Sequence, residues 1–595
     1  LNQYHIDDCL QGIEQQTFQY IDTKYIIEAD MADCREAILS EAYADFLVEE
    51  GFQEQSFQER FNEYCIQEMD YKYNTIYAPR TESEPISLEK YPYSCVPKLF
   101  GLMDTSAAEA TGALRLQKRA GFGLTGRGVI VGFIDSGIDY TNPVFTDEFG
   151  RSRILSIWDQ TIQSGTTPQG IAYGSEYTMQ DINEALQAAN PLELVPSVDT
   201  EGHGTFLAGI ACGSEDVEND FVGTANESLI AMVKLKPAKQ YLKDFFLIEN
   251  QENSVYQEND IMMAVSYLVS LAKREGRPLV LVIALGSGNG ERTGGSVLSQ
   301  MLDYYGEKIG NCVVVCSGNE GNERLHYEGN LTGKSYDDIE LRVGENTRGF
   351  SLEIWGNIPD ILSVEFIAPS GEFLPRIPAR LGISTLVRLL LEETTIEVHY
   401  SLVEGRTGME LIFLRFTAPT LGVWTIRVYG SNVLQGQYNV WLPIRQFINE
   451  NTYFLKPEPD ITIVTPAASD AVITVAAYNH TNNALYTESG RGFTRIGAVK
   501  PDVAGPGVEV FGPGLRGNYV RKSGTSVSAA LVAGNCAQLM QWGIVQGNIP
   551  QMKTNYIKNF LILGAGRDRN ITYPSKAWGY GKVNLYETFR ILTRG

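Results

Sequence analysis

Four short apolar runs constrain this chain more than any other feature: GVIVGFID at 128–135, LVLVIALG at 279–286, NCVVVCSG at 311–318 and AVITVAAY at 471–478. Each has the length of a strand and none alternates with polar residues, the pattern of strands buried on both faces. Helix-like stretches, DIMMAVSYLVSLAKREG and SVLSQMLDYYGEKIG, lie between them. That succession predicts an α/β fold with a parallel sheet flanked by helices.

Two regions break the pattern. Between residues 335 and 455 the segments GFSLEIWG, LSVEFIAPSG, TIEVHYSLVEG, GVWTIRVYG and GQYNVWLP are short, alternating and closed by Gly or Pro turns. They predict an antiparallel β-sandwich inserted into the α/β domain. Residues 1–93 combine a strand-like KYIIEAD, a helix-like AILSEAYADFLVEEG and an aromatic MDYKYNTIYAP. We read them as a small α/β module joined to the rest by an exposed, turn-rich linker, PRTESEPISLEKYPYS.

Composition excludes several classes. A net charge of −24 opposes nucleic acid and anionic lipid as partners. No run of about eighteen apolar residues is present, so no membrane-spanning helix is expected. The opening LNQYHIDDCLQGIEQQ is acidic and lacks an apolar centre, unlike a secretory signal. The eight cysteines, at 9, 34, 65, 95, 212, 312, 316 and 536, include no CxxC pair, and reduced thiols in a cytoplasm-like compartment are the expectation. Cys312 and Cys316 flank VVV on one strand and read as core residues rather than metal ligands. No metal and no cofactor is expected.

Acyl transfer by a serine needs a hydroxyl, a base to take its proton and a carboxylate to orient the base. In GFIDSGID, Asp135 ends a predicted buried strand, with Asp139 as a competing carboxylate further into the loop. In DTEGHGTFLAG, His203 alone of five histidines sits between two glycines before a helix-like run. Its neighbours Asp199 and Glu201 lack the spacing of a metal-binding HExxH helix. In RKSGTSVSAALVAG, Ser526 opens an apolar helix whose free N–H groups and positive dipole end would stabilise an oxyanion. In VVVCSGNEGN, Asn319 follows a buried strand, where its amide would donate to the same oxyanion. Each motif alone also has a plain structural reading: a strand-end Asp capping a turn, a histidine in a first helical turn, a Ser N-cap. Their chain order, and their shared setting beside glycines in one domain, favour chemistry.

The segments DSGID, GHGT, SGNEG and GTSVSA resemble the signatures of subtilisin-like serine proteases. LTGRGVIVGFIDSGIDYTNPVF, RILSIWDQTIQ and WGYGKVNLYETF further resemble the Csp-like branch, the germination proteases of clostridia and related gut subtilases. The resemblance implies Ser526 as nucleophile, His203 as base and then acid, Asp135 as its orienter, and Asn319 with the Ser526 N–H as oxyanion hole. Leu285 and Gly286 would pair with substrate, and Gly318 would wall the primary specificity pocket. Residues 1–93 would be a prodomain that assists folding and then blocks the cleft. Residues 94–334 and 456–595 would form the catalytic domain, and 335–455 a jelly-roll-like insertion. Self-cleavage is expected within residues 91–96, in YPYSCVPKLFG.

The implied substrate is protein or peptide, with a spore cortex hydrolase as the target in germination. The implied location is cytoplasmic or spore-associated, with secretion left open. Two other readings stand beside it: a pseudoprotease-like sensor or scaffold kept closed by its prodomain, and a general gut-bacterial protease unrelated to spores. Phe206 replaces a second His common in relatives, and Val144 a frequent calcium-binding carboxylate, so no calcium is carried over. Glu320 would lie near the specificity pocket, which leans the expected preference toward basic or large polar side chains.

Overall fold

The four apolar runs become adjacent strands of one eight-stranded sheet in a computed structural model that describes residues 31–49, 64–69, 71–102, 116–117, 123–248 and 254–592. Its strands are β1 Ile130–Asp135, β2 Ile154–Asp159, β3 Ser175–Thr178, β4 Leu229–Lys234, β5 Leu279–Ile283, β6 Asn311–Cys316, β7 Ile473–Tyr478 and β8 Val503–Pro506. They lie in the order β8-β7-β6-β5-β1-β4-β2-β3, all parallel except the edge strand β3. Helices α1 His203–Cys212 and α4 Thr525–Met540 share a core with Val131, Phe133, Val280 and Val314. Helices α2 Glu258–Glu275 and α3 Val297–Gly306 share the other with Ile130, Ile134, Leu281 and Val315. The strand period of two sends neighbouring residues into opposite cores, so both must be apolar.

The five alternating segments each hold a strand, and with their neighbours from His326–Asn330 to Tyr453–Phe454 they form a six-stranded and a five-stranded antiparallel sheet. Phe350, Leu352 and Ile354 of one sheet and Ile339, Val364 and Ile426 of the other bury one common core, which makes a sandwich. The sandwich leans on the α/β layer where Phe413 stacks on Phe245 with ring centroids 5.7 Å apart.

The N-terminal residues differ from expectation in three ways. AILSEAYADFLVEEG is not one helix: helix Met31–Leu39 ends within it and Tyr43–Glu49 is a strand. That strand pairs antiparallel with Tyr73–Pro79, which pairs in turn with Cys65–Glu68, and cross-strand packing overrides the local helical preference. The linker is not exposed throughout, since Tyr91 and Tyr93 are buried. Nor are all thiols reduced, because a Cys34–Cys65 disulfide ties the helix to this sheet, whereas Cys212, Cys312, Cys316 and Cys536 are free and buried. KYIIEAD lies outside the described residues. Asp45 fixes the small sheet to the α/β layer: its carboxylate accepts from Lys239 Nζ (2.6 Å), Gln257 Nε2 (2.7 Å) and Asn259 Nδ2 (3.2 Å). Among the described residues no helix is long and apolar enough to cross a membrane.

Candidate active site

Asp135 is the last residue of β1 and His203 the first of α1. Nδ1 of His203 lies 2.8 and 2.9 Å from the two carboxylate oxygens of Asp135, and both side chains are almost wholly buried. Such proximity requires the start of α1 to press against the end of β1. Gly204 permits it, since a Cβ there would collide with the Gly137 carbonyl and stand 3.1 Å from Asp135 Cβ. The ring's orientation follows from charge: a carboxylate only accepts, so Nδ1 carries the proton and Nε2 keeps its lone pair.

Asp199, to which the sequence assigns no metal role, clamps the turn before His203. One of its oxygens accepts from Gly202 N (2.8 Å) and Ser136 Oγ (2.9 Å), and the other from Thr205 N (2.9 Å) and Thr205 Oγ1 (2.7 Å). Ser136 Oγ in turn accepts from Gly204 N at 3.1 Å. The competing Asp139 points elsewhere, accepting from Thr141 Oγ1 (2.6 Å) and from Arg516 N (2.9 Å).

Asn319 follows β6 and Ser526 is the second residue of α4, so both reach the edge where β1 ends. Strand β5 separates β1 from β6, which puts those strand ends about 10 Å apart at ~4.8 Å per strand spacing. The amide oxygen of Asn319 accepts from Thr525 N (3.1 Å) and Thr525 Oγ1 (3.0 Å), so a backbone donor fixes which amide atom is which. Gly318 N donates to the same Thr525 hydroxyl at 3.1 Å. Thr525, not singled out in the sequence, is thus the residue that orients the amide. Ser526 is fully buried at the N-terminus of α4, and its Oγ has no hydrogen-bond partner. A buried hydroxyl left without a partner is costly, but Thr75 Oγ1 and Ser266 Oγ share that state, and no hydrogen bond joins Ser526 Oγ to His203 in this structure.

Leu285 and Gly286 form a short strand that pairs antiparallel with Leu102 and Gly101. The other edge of that segment, Leu99–Leu102, pairs with Tyr256–Gln257, so one stretch of the chain fills the groove between two strands. Residues 91–96, where self-cleavage is expected, lie instead in a buried polar socket. Tyr93 OH donates to Glu353 Oε1 (2.6 Å), which also accepts from Asn289 Nδ2 (2.7 Å). Lys98 Nζ donates to the carbonyls of Tyr93 and Val96, each at 2.6 Å.

Glu320 accepts from Arg445 N at 3.1 Å, and burial raises its pKa to about 7. It shares a small cavity with the buried guanidinium of Arg292, with His326 and with Trp441. A second, open groove of about 710 Å³ is lined by Asp139, Asn142, Leu192, Val198, Asp199 and Leu515.

A family model described as the subtilase family, Peptidase_S8, matches residues 126–346 and 449–581. Among solved structures, "Structure of the Clostridium Perfringens CspB protease" superposes with a TM-score of 0.72 at 32% identity, covering 81% of this chain and 96% of that one. No curated protein matches.

Proposed function

The chain belongs to the subtilase family of serine proteases, and on that premise we propose that it is an endopeptidase working through Asp135, His203 and Ser526. The observation that carries the reading is the buried contact between Asp135 and His203 Nδ1. Ser526 Oγ attacks the scissile carbonyl while His203 Nε2 takes its proton, and the Asp135 carboxylate stabilises the imidazolium that forms. The oxyanion is held by Asn319 Nδ2 and by the Ser526 N–H at the positive end of α4. Collapse to the acyl-enzyme expels the amine, which receives the proton from His203, and water repeats the sequence to release the acid. Leu285 and Gly286 pair with the substrate backbone, and Gly318 walls the primary pocket.

In the same reading the prodomain runs past the 1–93 read from sequence to include Leu99–Leu102, the rest of the chain up to residue 334 together with 456–595 is the catalytic domain, and 335–455 is an insertion. The pairing of Leu99–Leu102 with Leu285–Gly286 supports self-processing with the cleaved end retained in the groove, and moves the proposed bond from 91–96 to just downstream of Leu102. A spore cortex hydrolase as substrate rests on resemblance alone, and incubation with such a precursor tests it.

The Ser526→Ala chain, purified beside wild type, should remain full length, and N-terminal sequencing of processed wild type should find a start just after Leu102. Processing by the Ser526→Ala chain removes the nucleophile assignment. The rival sensor or scaffold reading draws on the filled groove. Labelling of Ser526 by a fluorophosphonate supports the enzyme, and its absence in folded protein supports the scaffold.

A further inference from the structure

Residues 443–447 run from the end of the sandwich strand Gln437–Trp441 back toward the α/β layer, and they cross the groove that holds Leu99–Leu102. The crossing is tight. A Cβ added at Gly288, two residues past Gly286, would lie 2.7 Å from Ile444 N and 2.9 Å from the Pro443 carbonyl carbon. Backbone therefore rests on backbone there, and neither side has a soft side chain to move.

The segment is also tied down from its outer face. Arg445 Nε donates to Glu323 Oε2 at 2.7 Å, Nη2 to the Glu323 carbonyl at 2.8 Å and Nη1 to the Asn449 carbonyl at 2.8 Å. With Arg445 N on Glu320, four donors fasten it to the loop that begins at Asn319 and to its own following turn. Ile444 and Gln446, on either side of Arg445, face the strand in the groove. Gln446 Nε2 donates to the Leu102 carbonyl, and a Cβ at Gly101 would strike Gln446 Oε1 and stand 2.9 Å from Ile444 Cδ1. Ile444 is itself buried and cannot swing into solvent. The backbone at Gly101 is not in the left-handed region, so the glycine is favoured by the side chains above it and not by its own dihedrals.

We propose that Ile444 and Gln446 form a specificity strap that disfavours any residue larger than glycine at the position pairing with Gly286, in the chain's own Leu99–Leu102 segment and in any substrate that takes its place. The strap makes the sandwich a part of the substrate site: an open groove would read that position weakly, whereas this one has a roof. The proposal rests on the reading of that groove as the substrate groove. Gln446 acts as a positioning and selecting residue through the Leu102 carbonyl and is no part of the proton-transfer machinery.

Gly101→Leu in the otherwise wild-type chain should slow self-processing by at least about tenfold, because the added methylenes must displace the Ile444 tip and the Gln446 amide and so break its hydrogen bond to the Leu102 carbonyl. Adding Ile444→Ala and Gln446→Ala should return processing to within about twofold of the same strap variant carrying Gly101. Processing of Gly101→Leu at the wild-type rate overturns the strap, and so does a slow rate that trimming does not relieve. A second measurement needs no catalysis: melting temperatures of the four combinations in the Ser526→Ala background. There Gly101→Leu should lower the melting temperature with the strap intact and leave it nearly unchanged with the strap trimmed. Additive shifts overturn the strap. Absent processing in wild type, combined with coupled melting temperatures, would keep the strap as a structural roof and defeat the protease reading alone.

Discussion

The two grooves beside the proposed triad differ in every respect that decides access. One, along Leu285–Gly286, is filled by Leu99–Leu102 and crossed by residues 443–447. The other, lined by Asp139, Val198, Asp199 and Leu515, stands open with about 710 Å³ of space. The filled groove is bounded by backbone ladders, which demand exact register, and the open one by side chains of three turns, which do not. Each of those turns neighbours a different residue of the proposed triad in sequence: 136–143 follow Asp135, 192–202 precede His203, and 515–517 precede Ser526. One side thus holds a single strand in fixed register, and the other leaves open space.

The largest effect should come from breaking what both grooves share. Asp135→Asn keeps the shape but presents His203 with a donor in place of an acceptor, and turnover measured on a peptide or on self-processing should fall about 10⁴-fold. Asn319→Ala should cost about 10²–10³-fold in kcat with little change in KM, because its amide acts on the developing oxyanion. On the filled side, Tyr93→Phe removes one donor from the buried Glu353, and denaturant unfolding should show a loss of about 1–3 kcal/mol with triad labelling preserved.

The pH response should separate the sides further. Burial raises the Glu320 pKa to about 7 from its ordinary 4.5. The folded state then holds a proton that the unfolded state has released, so this group's contribution is complete below about 4.5 and is lost as pH rises through about 7. Melting temperatures between pH 5 and 8 should therefore decline less in Glu320→Gln than in wild type. The smallest effect belongs to the open side. Leu192→Ser should change stability by less than about 0.5 kcal/mol, and any shift in KM for peptides extended past the bond would assign that groove to the leaving chain.

The local reading was good where one element decides its own pattern. The buried strands, the alternating sandwich segments, and Asp135 and His203 in their motifs follow from periodicity and from glycines placed where the backbone must come close. It failed at Tyr43–Glu49, whose helix-like composition gives way to pairing with Tyr73–Pro79. Nor is the Asp199 clamp legible locally, because Ser136 from another segment joins the neighbouring donors on its carboxylate only after folding. The socket that holds residues 91–96 is hidden from the sequence for a similar reason. The burial of Tyr93 against Glu353, 260 residues away, is invisible to any local pattern.

By itself, then, the sequence determined the element types, the layered α/β frame and the residues able to do acyl-transfer chemistry, since these depend on side-chain period and on functional groups that a short window contains. Only the tertiary structure decided which segment fills the groove, what lies over it and why Gly101 and Gly288 have no side chain. Those are contacts between stretches hundreds of residues apart, and their distances exist only once the sheet, the sandwich and the N-terminal module have packed together.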